Sequence, residues 1–173
     1  MIRRTGRTTG LSPLRGEDPA ILILGSFPSV QSLERQEYYA NPRNRFWAVM
    51  ELLLGIGRTL PYRERIRLLG DHGVTLWDVI ASCTRKGSGD GAIRDPKPND
   101  IQGFLRAHLS VRLAVLNGSS AGRYFRSAWP EGGPSGVRYI VLPSTSPANA
   151  RYRLPDLVDR WQVILAAVES IGK

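Results

Sequence analysis

Four consecutive aliphatic residues, Ile21-Leu22-Ile23-Leu24, run without a polar interruption into Gly25. An apolar run of this length, bounded by turn residues, reads as a strand buried on both faces, the kind found in parallel sheets. From Gly25 to Trp47 the chain then breaks into a loop marked by Pro28 and Pro42. That loop carries the adjacent Tyr38 and Tyr39 and the cluster Asn41-Pro42-Arg43-Asn44-Arg45-Phe46-Trp47. It is longer than a plain connection needs to be. In open α/β sheets ligands gather beyond the carboxyl ends of the strands, so the chemistry is expected here.

Three further runs repeat the pattern. Val74 to Ile80 reads as a second buried strand with one carboxylate, Asp78, inside it. Val111 to Leu116 ends at Asn117-Gly118, and Val137 to Leu142 leads into Pro143-Ser144-Thr145-Ser146-Pro147-Ala148-Asn149-Ala150. Between and after them, apolar residues recur at helical density in five places. These are Phe46 to Leu54, Tyr62 to Leu69, Asn99 or Asp100 through Leu105, Ser119 or Ser120 through Phe125, and Pro155 through Val168. Strand and helix alternate four times, which predicts an α/β fold: three α/β/α layers around a central four-stranded parallel sheet. Residues 1–17 read as a loose basic arm before a single domain at 18–173. Ser82 to Pro98, rich in glycine and charge, reads as a long, partly mobile loop.

Composition narrows the function classes. Cys83 is the single cysteine, which excludes an internal disulfide framework and a four-cysteine metal or cluster site. No stretch approaches the roughly 18 consecutive apolar residues of a membrane helix, and the basic N-terminus lacks the apolar core of a secretory signal. The expectation is a cytoplasmic monomer with no membrane contact, no metal and no cofactor. Formal net charge is +9, and all but three of the 24 basic residues (Lys86, Lys97 and Lys173) are arginine. A GC-rich genome explains arginine over lysine but not the excess of positive charge, which points to a polyanionic partner such as nucleic acid.

By the strand-end rule, the Gly25–Trp47 loop, Asp78, Asn117-Gly118 and the Pro143–Ala150 loop face one crevice. Neither GxxxxGK[ST] nor a GxGxxG after the first strand is present, so the usual phosphate-binding loops are absent. Five segments in this order, GSFPS, YYANPRNRFW, LWDVIASC, LNGSSA and LPSTSPANARY, resemble the uracil-DNA glycosylase superfamily. The closest likeness is to its hypoxanthine-DNA glycosylase branch, with the mismatch-specific uracil/thymine glycosylases a step further away. The resemblance runs from about Ile21 to Trp161.

That resemblance implies a monofunctional glycosylase that extrudes a deaminated base, hypoxanthine or uracil, from DNA and hydrolyses its N-glycosidic bond. Phe46 matches the ring that stacks on the base. Gly25, Ser26 and Phe27 would lie close to base and sugar, and Asn117 would line the back of the pocket. Asn44 matches the catalytic Asn of the hypoxanthine branch and would position water, since an amide can hold water but cannot serve as a base. Asp78 stands where the superfamily reads the base edge, and as an ionised carboxylate it would accept a lactam N–H; raised in pKa by burial, it could instead activate water. Pro143, Ser144, Thr145, Ser146, Asn149 and Arg151 would contact DNA, with Ala148–Arg151 near the gap left by the flipped base. Two departures are clear. Phe27 stands where better-known members carry an Asp, and Leu142 where they carry a His, so a His–Asp mechanism is excluded.

Each residue also has a plainer reading: Phe46 as core, Asn44 as a helix cap, Asp78 as a loop anchor and Asn117 as a turn residue. Two other functions remain open at this point. One is a damaged-DNA-binding module without turnover, and the other a hydrolase of free nucleosides or nucleotides, which would leave the net charge and the LPSTSPANA loop without work.

Overall fold

The computed structural model describes residues 6–14 and 16–169. Its centre is a parallel sheet of four strands: β2 (Ile21–Gly25), β3 (Val74–Asp78), β6 (Leu113–Asn117) and β7 (Arg138–Leu142), in the order β3-β2-β6-β7. β2 is central and buried along its whole length. Ile21 and Ile23 point into one core with Val49, Met50, Leu69, Trp161 and Ile164. Leu22 and Leu24 point into the other with Ile101, Leu105, Ala121 and Phe125. A period of two with apolar side chains at every position is what a sheet covered on both faces demands.

The first face carries α2 (Phe46–Leu54), α3 (Tyr62–Asp71), α6 (Leu154–Trp161) and α7 (Val163–Glu169); the second carries α4 (Ile101–Ala107) and α5 (Ser119–Ala128). The expected three-layer α/β/α architecture is therefore present. The long helix expected from Pro155 is two, parted at Gln162. A short α1 (Val30–Arg35), capped by the Ser29 side chain on Ser32 N–H, lies within the first loop. The first residue before α5 is Gly118 at φ +101°, not a serine cap.

Two expectations are corrected on one flank. The second strand does not continue to Ile80 in the parallel sheet. It ends at Asp78, and after Val79 the chain enters β4 (Ile80–Thr84), which pairs antiparallel with β1 (Thr8–Thr9) and β5 (Arg94–Pro98). Ser82 to Pro98, expected to be a mobile loop, is thus mostly a hairpin with a 3₁₀ turn at Asp90–Ala92. Its outer strand contains Pro96 and Pro98 and is exposed throughout, as an edge strand tolerates.

The described part of the arm is not loose. Gly10 N–H bonds Ala81 O at 2.8 Å, Leu14 N–H bonds Leu76 O at 2.9 Å, Trp77 Nε1 donates to Leu11 O at 3.2 Å, and Tyr38 Oη donates to Ser12 O at 2.7 Å. These backbone groups are satisfied by partners far away in sequence, which composition cannot reveal. The remainder of the arm up to Thr5 lies outside the described residues.

Candidate active site

β2 and β3 end side by side, with Gly25 opposite Asp78. A Cβ at Gly25 would stand 2.5 Å from Asp78 Oδ1 and 3.6 Å from Tyr39 Oη. The glycine is what lets a carboxyl and a phenol approach the strand end together. Past this point the backbones stay tied: Val79 and Ile80 N–H groups bond the carbonyls of Gly25 and Ser26 at 2.8 and 3.0 Å.

Asp78 is 5% exposed, and its Oδ2 is buried without a hydrogen-bond partner. Burial, reinforced by the Asp90 carboxylate and opposed by the Arg85 guanidinium, pushes its pKa up to about 7. Of the two states the sequence left open for this carboxyl, burial favours the one with a raised proton affinity. Near neutral pH a large share of it carries a proton.

Tyr39 is the residue that sequence reasoning passed over. At φ +55° it turns its ring onto Phe46, with centroids 4.0 Å apart and planes 19° from parallel. Phe46 lies beneath it with no exposure, edge-on to Trp47 and Trp161. Phe46, expected to stack on the base, is thus covered on every side, with Tyr39 over one face and the Tyr39 hydroxyl reaching the strand ends beside Gly25 and Asn117. The adjacent Tyr38 is buried, and only the left-handed backbone at Tyr39 separates the two. Two surface hollows, of about 270 Å³ around Leu14, Ile66 and Val74 and about 360 Å³ around Tyr152, Asp156 and Arg160, include none of Gly25, Tyr39, Asp78 or Asn117. The Tyr39 ring fills the strand-end position instead.

Asn117, at the end of β6, was expected to line the pocket. Its Oδ1 accepts Thr145 N–H at 3.0 Å, while Nδ2 donates to Thr145 Oγ1 at 3.0 Å and Tyr39 Oη at 3.1 Å. Both ends of the amide are committed, so it braces Tyr39 and the loop after β7. Thr145, expected on DNA, is wholly buried by this arrangement. Gly118 lets the loop come close, since a Cβ there would meet Ser144 Cβ at 2.8 Å.

The loop itself is preformed. Ser144 Oγ accepts Ser146 N–H at 3.1 Å, and Ser146 Oγ accepts Ala148 N–H at 3.2 Å. Asn149 Nδ2 donates to Ser144 O at 3.0 Å, and Trp161 Nε1 to Pro143 O at 3.0 Å. What it presents outward is Pro147, Ala148, Ala150 and Arg151. A second overlooked residue clamps it: the Arg45 guanidinium donates to Ser146 O at 2.8 Å, Asn149 O at 2.9 Å and Tyr152 O.

Asn44 stands beside the clamp, half-buried, and its Oδ1 accepts Phe46 N–H at 2.9 Å, capping α2. One lone pair of that oxygen remains for water. Ser26 Oγ donates to Asp90 Oδ1 at 2.7 Å, so its proton is held by the hairpin. Phe27 does not join the site. Its ring packs with Ile80, Cys83 and Ile93 beneath the Arg85 guanidinium, which lies 4.9 Å from its ring centre.

A preformed loop, a buried acid and an aromatic residue thus lie together at the ends of the parallel strands. The family model of the uracil DNA glycosylase superfamily matches residues 13–165. A hypoxanthine DNA glycosylase of Methanosarcina acetivorans is 36% identical over 83% of this chain and 89% of its own length. Its counterpart in Methanosarcina barkeri is 31% identical over 82% of this chain and 88% of its own. A solution NMR structure of a candidate uracil DNA glycosylase from M. acetivorans superposes with a TM-score of 0.80 at 32% identity, covering 95% of this chain and 99% of that one. The chain belongs to the uracil DNA glycosylase superfamily and is a DNA glycosylase.

Proposed function

We propose that this glycosylase excises deaminated bases that present a lactam edge, with hypoxanthine as its principal substrate and uracil beside it. One observation carries the reading: a buried, partnerless Asp78 oxygen at the strand end, in a carboxyl that burial holds near half-protonation at neutral pH. A protonated carboxyl offers one acceptor and one donor side by side. Against hypoxanthine the carbonyl oxygen accepts N1–H and the O–H donates to O6; against uracil the same pair meets N3–H and O4. Adenine and cytosine carry an acceptor at the ring nitrogen and an amino group beside it, which reverses the pattern. The names of the two Methanosarcina relatives favour hypoxanthine.

The base stacks on the face of Tyr39 that Phe46 does not cover. As the C1′–N bond breaks, its electron pair leaves on the base and charge grows on the carbonyl oxygen that Asp78 O–H already holds. A donor aimed at developing charge in a water-poor site lowers the barrier most. Water held by Asn44 then adds through its oxygen to the sugar C1′. One of its protons is released and the departing base gains one, leaving an abasic site. Because the amide is no base, bond breaking runs ahead of attack. Ser144, Ser146, Asn149 and Arg151 belong to the loop that grips the strand.

Labelled 30-mer duplexes containing hypoxanthine, uracil, xanthine or thymine, incubated with enzyme in EDTA and then cut by hot alkali, test this directly. Strand scission at hypoxanthine, weaker at uracil and unaffected by EDTA, is the expected result. Scission confined to xanthine or thymine, which carry the same lactam edge, would overturn the assignment to hypoxanthine and uracil. Binding without scission of any duplex or single strand would mean a damage-recognition module.

A further inference from the structure

The hairpin between β4 and β5 is docked on the segment that follows β2 at three points. Asp90 Oδ1 accepts the Ser26 hydroxyl at 2.7 Å, Ser88 Oγ accepts Val30 N–H at 2.9 Å, and the Arg85 guanidinium donates to Pro28 O. Arg7 braces the hairpin from the other side, donating to Asp95 O at 2.9 Å and Ser82 Oγ at 3.1 Å. Nothing in a nucleotide-reading crevice requires a second carboxylate to be held this firmly one residue from Gly25, where Asp78 stands. We infer that Asp90 is a positioning residue for the base-reading acid: it anchors Ser26 beside Gly25 and sets its negative charge on the side of the buried Asp78 carboxyl, adding to the effect of burial.

This rests on the base-reading role of Asp78. Among the described residues, Asp90 is the carboxylate whose charge adds to burial in raising Asp78. Tyr39 and Tyr38, on the loop after α1, are phenols that burial first of all raises well above their ordinary value, so both are neutral. Arg85 is the opposing cation: its Nη2 donates to Pro28 O over the face of Phe27, while its Nη1 is buried without a hydrogen-bond partner. Asp90 lies on the 3₁₀ turn at the hairpin tip. The proton that reads the lactam is thereby controlled by an element outside the parallel sheet.

Asp90→Asn removes the charge and keeps an acceptor for Ser26, whereas Asp90→Glu restores the charge. Carbon-13 NMR of the Asp78 carboxyl, followed against pH in DNA-free protein, gives the expected result directly. Its midpoint falls by half a unit or more in Asp90→Asn, about a threefold change in acidity, and returns toward the parent in Asp90→Glu. The alkaline limb of single-turnover excision moves down with it. An unchanged Asp78 midpoint in Asp90→Asn overturns the proposal. So does a pattern in which Asp90→Asn and Ser26→Ala both slow excision evenly at every pH, since a purely structural tie would do that. The NMR comparison needs no turnover, so a parent protein that excised no lactam base would sink the proposed substrate and leave the Asp90 result to be read separately.

Discussion

Asp78 carries a cost that the sheet does not need. In the unfolded chain its carboxyl ionises near 3.8, while in the folded protein burial holds the proton up to about 7. Between those values the folded state binds more protons than the unfolded one, so stability falls as pH rises from about 4 to 7 and levels off above that. Asp78→Asn keeps one acceptor and one donor in the same volume without an ionisable group. The variant is expected to unfold at higher temperature than the parent, with the gain growing across that window and reaching about 4 °C or more at pH 8. Its excision rate should lose the alkaline limb while staying within about tenfold of the parent at pH 6, a loss of about one hydrogen bond's worth of barrier. Thermal melts and single-turnover rates at pH 5, 6 and 8 check both. The Tyr39–Phe46 stack divides in a similar way. Tyr39→Leu should reduce excision about a hundredfold at small cost in stability, whereas Phe46→Ala, deep among Trp47 and Trp161, should destabilise by about 3–5 kcal/mol in denaturant titrations.

Loops that grip a polyanion work best when their shape is settled before contact, and the element after β7, in its proposed DNA-binding role, has such a preformed shape. Its serine hydroxyls accept the N–H groups of Ser146 and Ala148, and the Arg45 fork gathers three carbonyls spread from Ser146 to Tyr152. A planar guanidinium can serve three acceptors at fixed angles; an ammonium is a point charge on a flexible stem. Arg45→Lys should therefore leave the core intact, speed amide exchange in residues 146–152, and weaken binding to lesion-containing DNA by about tenfold. Hydrogen-exchange protection and anisotropy titrations separate these effects. The hairpin of β4 and β5 is the second such element. It is settled by contacts with residues 7–10 and 26–30, and not by any apolar face of its own strand β5, which is exposed throughout.

At the scale of the molecule, the excess of positive charge shapes how DNA is met. Arg43, Lys86 and Arg151 are exposed on three of the loops that border the crevice, while Glu51–Arg58 and Arg67–Asp71 pairs neutralise other parts of the surface. Phosphate contacts release counterions, so binding to undamaged duplex should weaken with salt along a log–log slope of about −3, equivalent to about three phosphates. Replacing Arg43 or Arg151 by Ala should reduce that slope by about one unit each, measured by anisotropy across a salt series. No helix among the described residues is long and apolar enough to cross a membrane.

The sequence by itself determined the parallel sheet, because Ile21 to Leu24 admits no exposed face, and it placed Gly25 and Asn117 at neighbouring strand ends. It also sufficed for the family, since five short segments keep their order along nearly the whole chain. It did not determine which of two adjacent tyrosines faces the crevice; a left-handed backbone at Tyr39 and the amide of Asn117 decide that. Nor did it reveal the hairpin from Ile80 to Pro98. Glycine and proline there read as loop, and the strand that completes the ladder, Thr8–Thr9, comes from more than seventy residues away. The sequence allowed burial to lift the Asp78 proton affinity, but did not reveal that a carboxylate on another element, Asp90, adds to it. Local pattern dictates elements; only tertiary contact brings distant groups close enough to change one another's chemistry.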